Sequence, residues 1–222
     1  MKSLLAFGIL FFALSFCGIT DKIKESIDSS STTADPTIGN NTDTANNGDG
    51  KTDATSDGDK VEKPNPSAEQ QKIIDSGKRV VWDDQGMGWV LPDGWNKMSV
   101  SKKMFNYGSP ATGFLIVNIS SLGESFPVDI SLKAFYDGQM KRKNDGEVDL
   151  LRYLEIDNVK GIEFIEAMPE DKGDPRRYQW IGYRNYNNQV QMVNVIISTS
   201  GDKFNDKSDT FGAILYSMKF DN

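Results

Sequence analysis

The sequence predicts an α+β domain in which helices cover both faces of an antiparallel sheet. Three observations lead there. In the segment 189–199, Val193, Val195 and Ile197 alternate with Val190, Met192 and Ile196. Both faces of that strand are therefore apolar, whereas a sheet open to water on one side shows polar residues there. Two segments repeat apolar residues at helical spacing: Leu132, Phe135, Tyr136 and Met140 (with Gln139 on the same stripe), and Phe211, Ile214, Leu215 and Met218. The pairs Asp157-Asn158 and Asn187-Asn188 stand between β-like runs. Tight hairpins need residues there that tolerate left-handed backbone.

In chain order, Lys2 precedes an apolar run that holds Leu4, Leu5, Phe7, Ile9, Leu10, Phe11, Phe12 and Leu14 and stops at Ser15-Phe16-Cys17-Gly18. A charged start followed by a short apolar run is a secretion signal. Its end at the chain's only cysteine resembles the lipobox of bacterial lipoproteins, although Phe16 is larger than the small residue usual before the lipidated cysteine. Residues 1–16 are thus expected to be removed and Cys17 to carry lipid. Ordinary cleavage would call for an A-x-A-like site, and none lies nearby. A retained anchor would need about 20 apolar residues. The expected location is the cell envelope, at the outer membrane.

Residues 17–66 read as a polar tether of Ser, Thr, Asp, Asn and Gly without aromatics, a composition that buries too little apolar area to offset chain entropy. Asp43, Asp49, Asp53, Asp57 and Asp59 lack the spacing and closing Glu of a calcium loop. The globular domain is expected at 67–222. It begins with a short helix near 67–75 capped by Ser67. Strands follow at 79–82 and 88–91, then a Pro92-Asp93-Gly94 turn and strands at 102–107 and 114–119. The first long helix is capped by Asp129 or Ser131, and Lys141, Arg142 and Lys143 at its end suit the helix dipole. Strands are expected at 148–156, 159–167, 176–186 and 189–199, and a last helix at 205–218.

Trp89-Val90-Leu91-Pro92-Asp93-Gly94-Trp95, the hairpin from Tyr178-Gln179-Trp180 to Ile197, and the closing run from Phe211 to Phe220 are similar to signatures of the PsbP-like family. The resemblance covers about the last two thirds of the chain and implies an α/β/α sandwich. Family members serve unrelated roles, so the resemblance carries no site residues over.

Composition excludes several chemistries. The 222 residues carry a net charge of −7, one Cys and no His. An acidic chain is a poor nucleic-acid ligand. Without His, the usual general base, the common nucleophile pairs and the commonest metal ligand are missing. No cofactor or metal site is expected. Glu163 and Glu166, at odd spacing on one strand, point to opposite faces and make no carboxylate pair. No Ser sits in a G-x-S-x-G elbow, and Gly86-Met87-Gly88 precedes a strand, unlike a phosphate cradle. Two candidate surfaces remain: a ligand groove lined by Trp82, Trp89, Trp95, Trp180 and Tyr183, and a partner-contacting loop with Glu170, Asp171, Asp174, Arg176 and Arg177. The reading is a membrane-tethered, non-catalytic binding or accessory module with a protein partner in the envelope. A surface adhesin and an exported carboxylate hydrolase are the alternatives.

Overall fold

The computed structural model describes residues 60–220. Cys17 and the tether up to residue 59 lie outside the described residues. The element order is β1 (Val61–Glu62), α1 (Ala68–Ser76), β2 (Lys78–Trp82), β3 (Met87–Leu91), β4 (Lys97–Val100), β5 (Met104–Ser109), β6 (Gly113–Leu122), α2 (Val128–Asn144), β7 (Val148–Ile156), β8 (Val159–Glu166), β9 (Pro175–Tyr186), β10 (Gln189–Ser200), α3 (Gly201–Phe204), α4 (Ser208–Tyr216) and β11 (Lys219–Phe220).

The strands form a large sheet in the order β1-β7-β8-β9-β10-β6-β5-β4 and a small one in the order β11-β3-β2. Within the large sheet every pair is antiparallel except β1 with β7. The two expected hairpin turns are present: Asp157, Asn158, Asn187 and Asn188 all have φ between 48° and 68°, the mirror-image turn that suits strand twist.

The alternation along each strand sorts side chains into two cores. On one face Leu151, Tyr153, Ile162, Phe164 and Ile181 meet Leu132, Phe135, Tyr136 and Met140 of α2. On the other, Leu154, Ile156, Trp180, Val193, Val195, Ile197, Leu115 and Val117 meet Phe211, Ile214, Leu215 and Met218. Both faces are thus covered, but not by helices alone. Trp82, Met87, Trp89 and Leu91 of the small sheet join α4 in the second core. Trp89 and Phe105 pack with ring centroids 4.8 Å apart across the two sheets.

Four local expectations are corrected. The ordered domain starts before Ser67, because Val61 and Glu62 pair with Tyr153 and Leu154 and Glu62 bonds to Arg152; a polar composition hid that edge strand. Pro127, not Asp129 or Ser131, is the N-cap of α2, and no side chain caps it. β4 was not anticipated, its residues being mostly exposed. The closing helix is broken into α3, a 3-10 turn and α4. Ser67 does cap α1, in a reciprocal capping box with Gln70.

Leu215 is buried in the second core. Leu215→Ala is expected to cost about 2–5 kcal/mol, and Lys203→Ala, on exposed surface, no more than about 0.5 kcal/mol. Urea unfolding of the full chain measures both, and an unmoved midpoint for Leu215→Ala would undock α4 from the sheet.

Candidate functional site

A carboxylate lies in the middle of the domain. The β8 alternation that sends Ile162 and Phe164 towards α2 sends Glu163 to the opposite face, where it is 0 % exposed. Its cross-strand partner is Arg152, whose Nε donates to Oε2. The hydroxyl of Tyr178 donates to Oε1, and that of Tyr216 reaches the same oxygen at 3.0 Å. Arg152 also donates to Tyr216 at 2.9 Å and to Glu62 at 2.6 Å. Burial alone would lower the Arg152 pKa, but the bond and the charge of Glu163 outweigh it and the net shift is upward. Burial, with Glu163 next, pushes Tyr216 up to about 12 and Tyr178 well above the ordinary tyrosine value. Both phenols are therefore neutral donors at physiological pH. The cluster joins β7, β8, β9, α4 and β1, and its own members engage both carboxylate oxygens, which suits structural locking better than chemistry.

A second buried charge has different company. Arg184 of β9 is 8 % exposed, and no carboxylate pairs with it among the described residues. Its Nε donates to Gln191 Oε1 at 3.1 Å. Its Nη2 donates to Gln85 O at 2.5 Å and to Gln191 Oε1 at 3.0 Å, with Gln85 Oε1 3.5 Å away. Nη1 has one long bond, to Gly86 O at 3.4 Å. The guanidinium lies over the rings of Tyr186, 4.4 Å from its centroid, and Phe220, at 5.2 Å. Burial pushes its pKa down to about 10, so it stays charged at neutral pH. Arg184, Tyr186 and Phe220 line a cleft of about 570 Å³ together with Asn158, Asn185 and Asn187.

A third feature is the part of the α2-side face that lies beyond α2. There β10, β6 and β5 place Ile196, Ile116 and Asn106 in one cross-strand row and Asn194, Asn118 and Met104 in the next. These six side chains and the neighbouring Phe114 are half-buried. The Oδ1 atoms of Asn106 and Asn194 are buried without a hydrogen-bond partner. α2 packs instead on β7 and β8.

The five proposed groove residues do not come together. Trp82, Trp89, Trp95 and Trp180 are buried in the second core, whereas Tyr183 lies on the α2 side, its ring stacked 5.5 Å from that of Phe126. Trp180 lies against Gly161 and Gly182, a cross-strand pair whose missing side chains make room for the indole. Of the proposed partner-loop residues, Glu170, Asp171 and Asp174 are exposed in the 167–174 loop, whereas Arg176 and Arg177 belong to β9, Arg177 exposed and Arg176 buried. It donates to Glu166 O at 2.7 Å, Asn205 Oδ1 at 3.0 Å and Asp149 Oδ2 at 2.5 Å, and its guanidinium sits over Phe204. Two backbone bonds of 2.9 Å, Gly201 N to Asp174 O and Asp202 N to Lys172 O, tie the loop to the start of α3. Arg177 pairs with Glu166 at 3.1 Å. Sequence reasoning missed Arg184, Gln85 and Gln191. The one available signal was a charged residue at a position whose alternation partners, Trp180 and Gly182, face the core.

Among the described residues no three His, Cys, Asp or Glu side chains come together as metal ligands. No family model matches the chain, and no curated protein does. Among solved structures it is similar to cyanobacterial PsbP (CyanoP) from Synechocystis sp. PCC 6803, at 15 % identity and TM-score 0.45, over 65 % of this chain and 93 % of that one. It is similar to LpqN of Mycobacterium tuberculosis, involved in cell envelope biogenesis, at 14 % identity and TM-score 0.47, over 68 % and 96 % of the two chains. The Saccharomyces cerevisiae Ran-binding protein Mog1p follows at 10 % identity and TM-score 0.36, over 66 % and 96 %.

Proposed function

We propose that the chain is an exported protein held in the cell envelope by lipid on Cys17, and that its globular domain is a non-catalytic binding module for a protein partner. The half-buried sheet face around Ile116 and Ile196 carries this reading. Two isoleucines and Phe114 lie there beside Asn106 and Asn194, whose buried carbonyl oxygens have no acceptor bond made. A half-buried apolar patch beyond the reach of α2 suits the apolar side chains of a protein partner. The Glu163 cluster argues in the same direction, since its carboxylate is fully buried and both of its oxygens already accept hydrogen bonds.

The test places a photo-crosslinking residue at Ile196 and, as control, at the exposed Lys203, and irradiates the full chain in intact envelopes. A discrete protein adduct from position 196, absent from 203, is the expected result. No adduct, or the same adducts from both positions, removes the face as a docking surface. Labelled fatty acid should enter the wild-type chain, and Cys17→Ala should abolish uptake and release the protein from membranes. A wild-type chain that takes up no label defeats the lipid-anchor reading.

A further inference from the structure

We propose that the cleft lined by Arg184, Tyr186 and Phe220 is a binding site for a monocarboxylate carried on a flat apolar body. The argument starts from the charge. A buried cation is stable when paired or fully bonded. Among the described residues Arg184 is bonded only to amide and backbone oxygens, and no carboxylate reaches it. Asp157, the nearby turn acid, is already taken by Lys219 Nζ at 3.1 Å and Phe220 N at 2.8 Å.

The geometry then selects the ligand. Of the five guanidinium N–H groups, those on Nε and Nη2 are held by Gln85 and Gln191. Nη1, with two hydrogens, has one long bond and is the end free to donate to an added oxygen. Asn158, Asn185 and Asn187, all exposed, supply amide donors around the same cleft. No lysine and no second arginine lines it, so one negative charge is matched and two are not. The rings of Tyr186 and Phe220, already against the guanidinium, offer the apolar wall. This site is separate from the sheet face around Ile116, and either can fail without the other.

The test titrates the full chain with benzoate, benzamide and phenyl phosphate while the side-chain N–H signal of Arg184 is followed by NMR. Benzoate should move that signal and bind at least about tenfold more tightly than benzamide, the equivalent of one charge-assisted hydrogen bond. Phenyl phosphate should bind more weakly than benzoate. Tyr186→Ala leaves the Arg184 bonds in place and should weaken benzoate, and Arg184→Gln should abolish the preference over benzamide. Benzamide binding as well as benzoate, phenyl phosphate binding more tightly, or an Arg184 signal that does not move would each overturn the proposal. Because the ligand comparison uses the wild-type chain, it stands even if Arg184→Gln does not fold.

Discussion

Glu163→Ala is expected to destabilise the domain by about 3–5 kcal/mol. Glu163 is fully buried, and removing one member of a buried ion pair costs in this range. Here the loss is compounded, because Glu163 accepts from Arg152, Tyr178 and Tyr216. Without it the guanidinium of Arg152 keeps Glu62 and the Tyr216 hydroxyl, and the Tyr178 hydroxyl keeps only Tyr216 at 3.1 Å. Removing both charges together, as Glu163→Leu with Arg152→Met, should recover most of the loss, since apolar replacements of a buried pair are often neutral. Urea unfolding followed by tryptophan fluorescence of the wild type, Glu163→Leu, Arg152→Met and the double variant gives the four corners of this cycle. If Glu163→Ala shifted stability by less than about 1 kcal/mol, or the double variant were no better than the single, the cluster would not act as a coupled unit.

Trp180→Ala should cost about 3–5 kcal/mol, the range for a buried Trp truncated to Ala. The indole fills the space over Gly161 and Gly182, touches Phe220 and donates from Nε1 to Leu154 O at 3.1 Å. Truncation opens a cavity that the two glycines cannot fill and leaves a carbonyl without that donor. Gly182→Ala approaches the same contact from the other side. Its Cβ would overlap the indole, and overpacking of this kind costs about 1–3 kcal/mol. A wild-type midpoint for Trp180→Ala would mean that the ring lines a surface groove and not the core.

The same residues show how far the sequence reaches. Period-two alternation placed Trp180, Val193, Val195 and Ile197 on strands, and the turn pairs at 157–158 and 187–188 located both hairpins. The apolar stripes located α2 and α4. The Trp groove did not follow, because aromatic content reveals that large rings must be buried or bound and not which. Tyr183 went to the other face through the same alternation that placed Trp180. The loop residues read as free charges divide for a similar reason: Arg176 looks like a loop residue in sequence, and its burial comes from Asp149, Glu166 and Asn205.

By itself the sequence determined what is local: where strands and helices form, which side chains share a face, that both faces of the sheet must be covered, and which chemistries lack their residues. Each of these follows from periodicity, turn preference or composition, which act over a few residues. The tertiary structure alone decided that β2, β3 and β11 leave the main sheet, that Val61 and Glu62 extend it, and that the two buried charges differ. Glu163 meets Tyr216 across 53 residues and Arg184 meets Gln85 across 99. Alternation turns both side chains inward, but only the long-range pairing of elements determines whether a carboxylate, a phenol or an amide waits there. That gives Glu163 an arginine and two phenols and leaves Nη1 of Arg184 with one long bond.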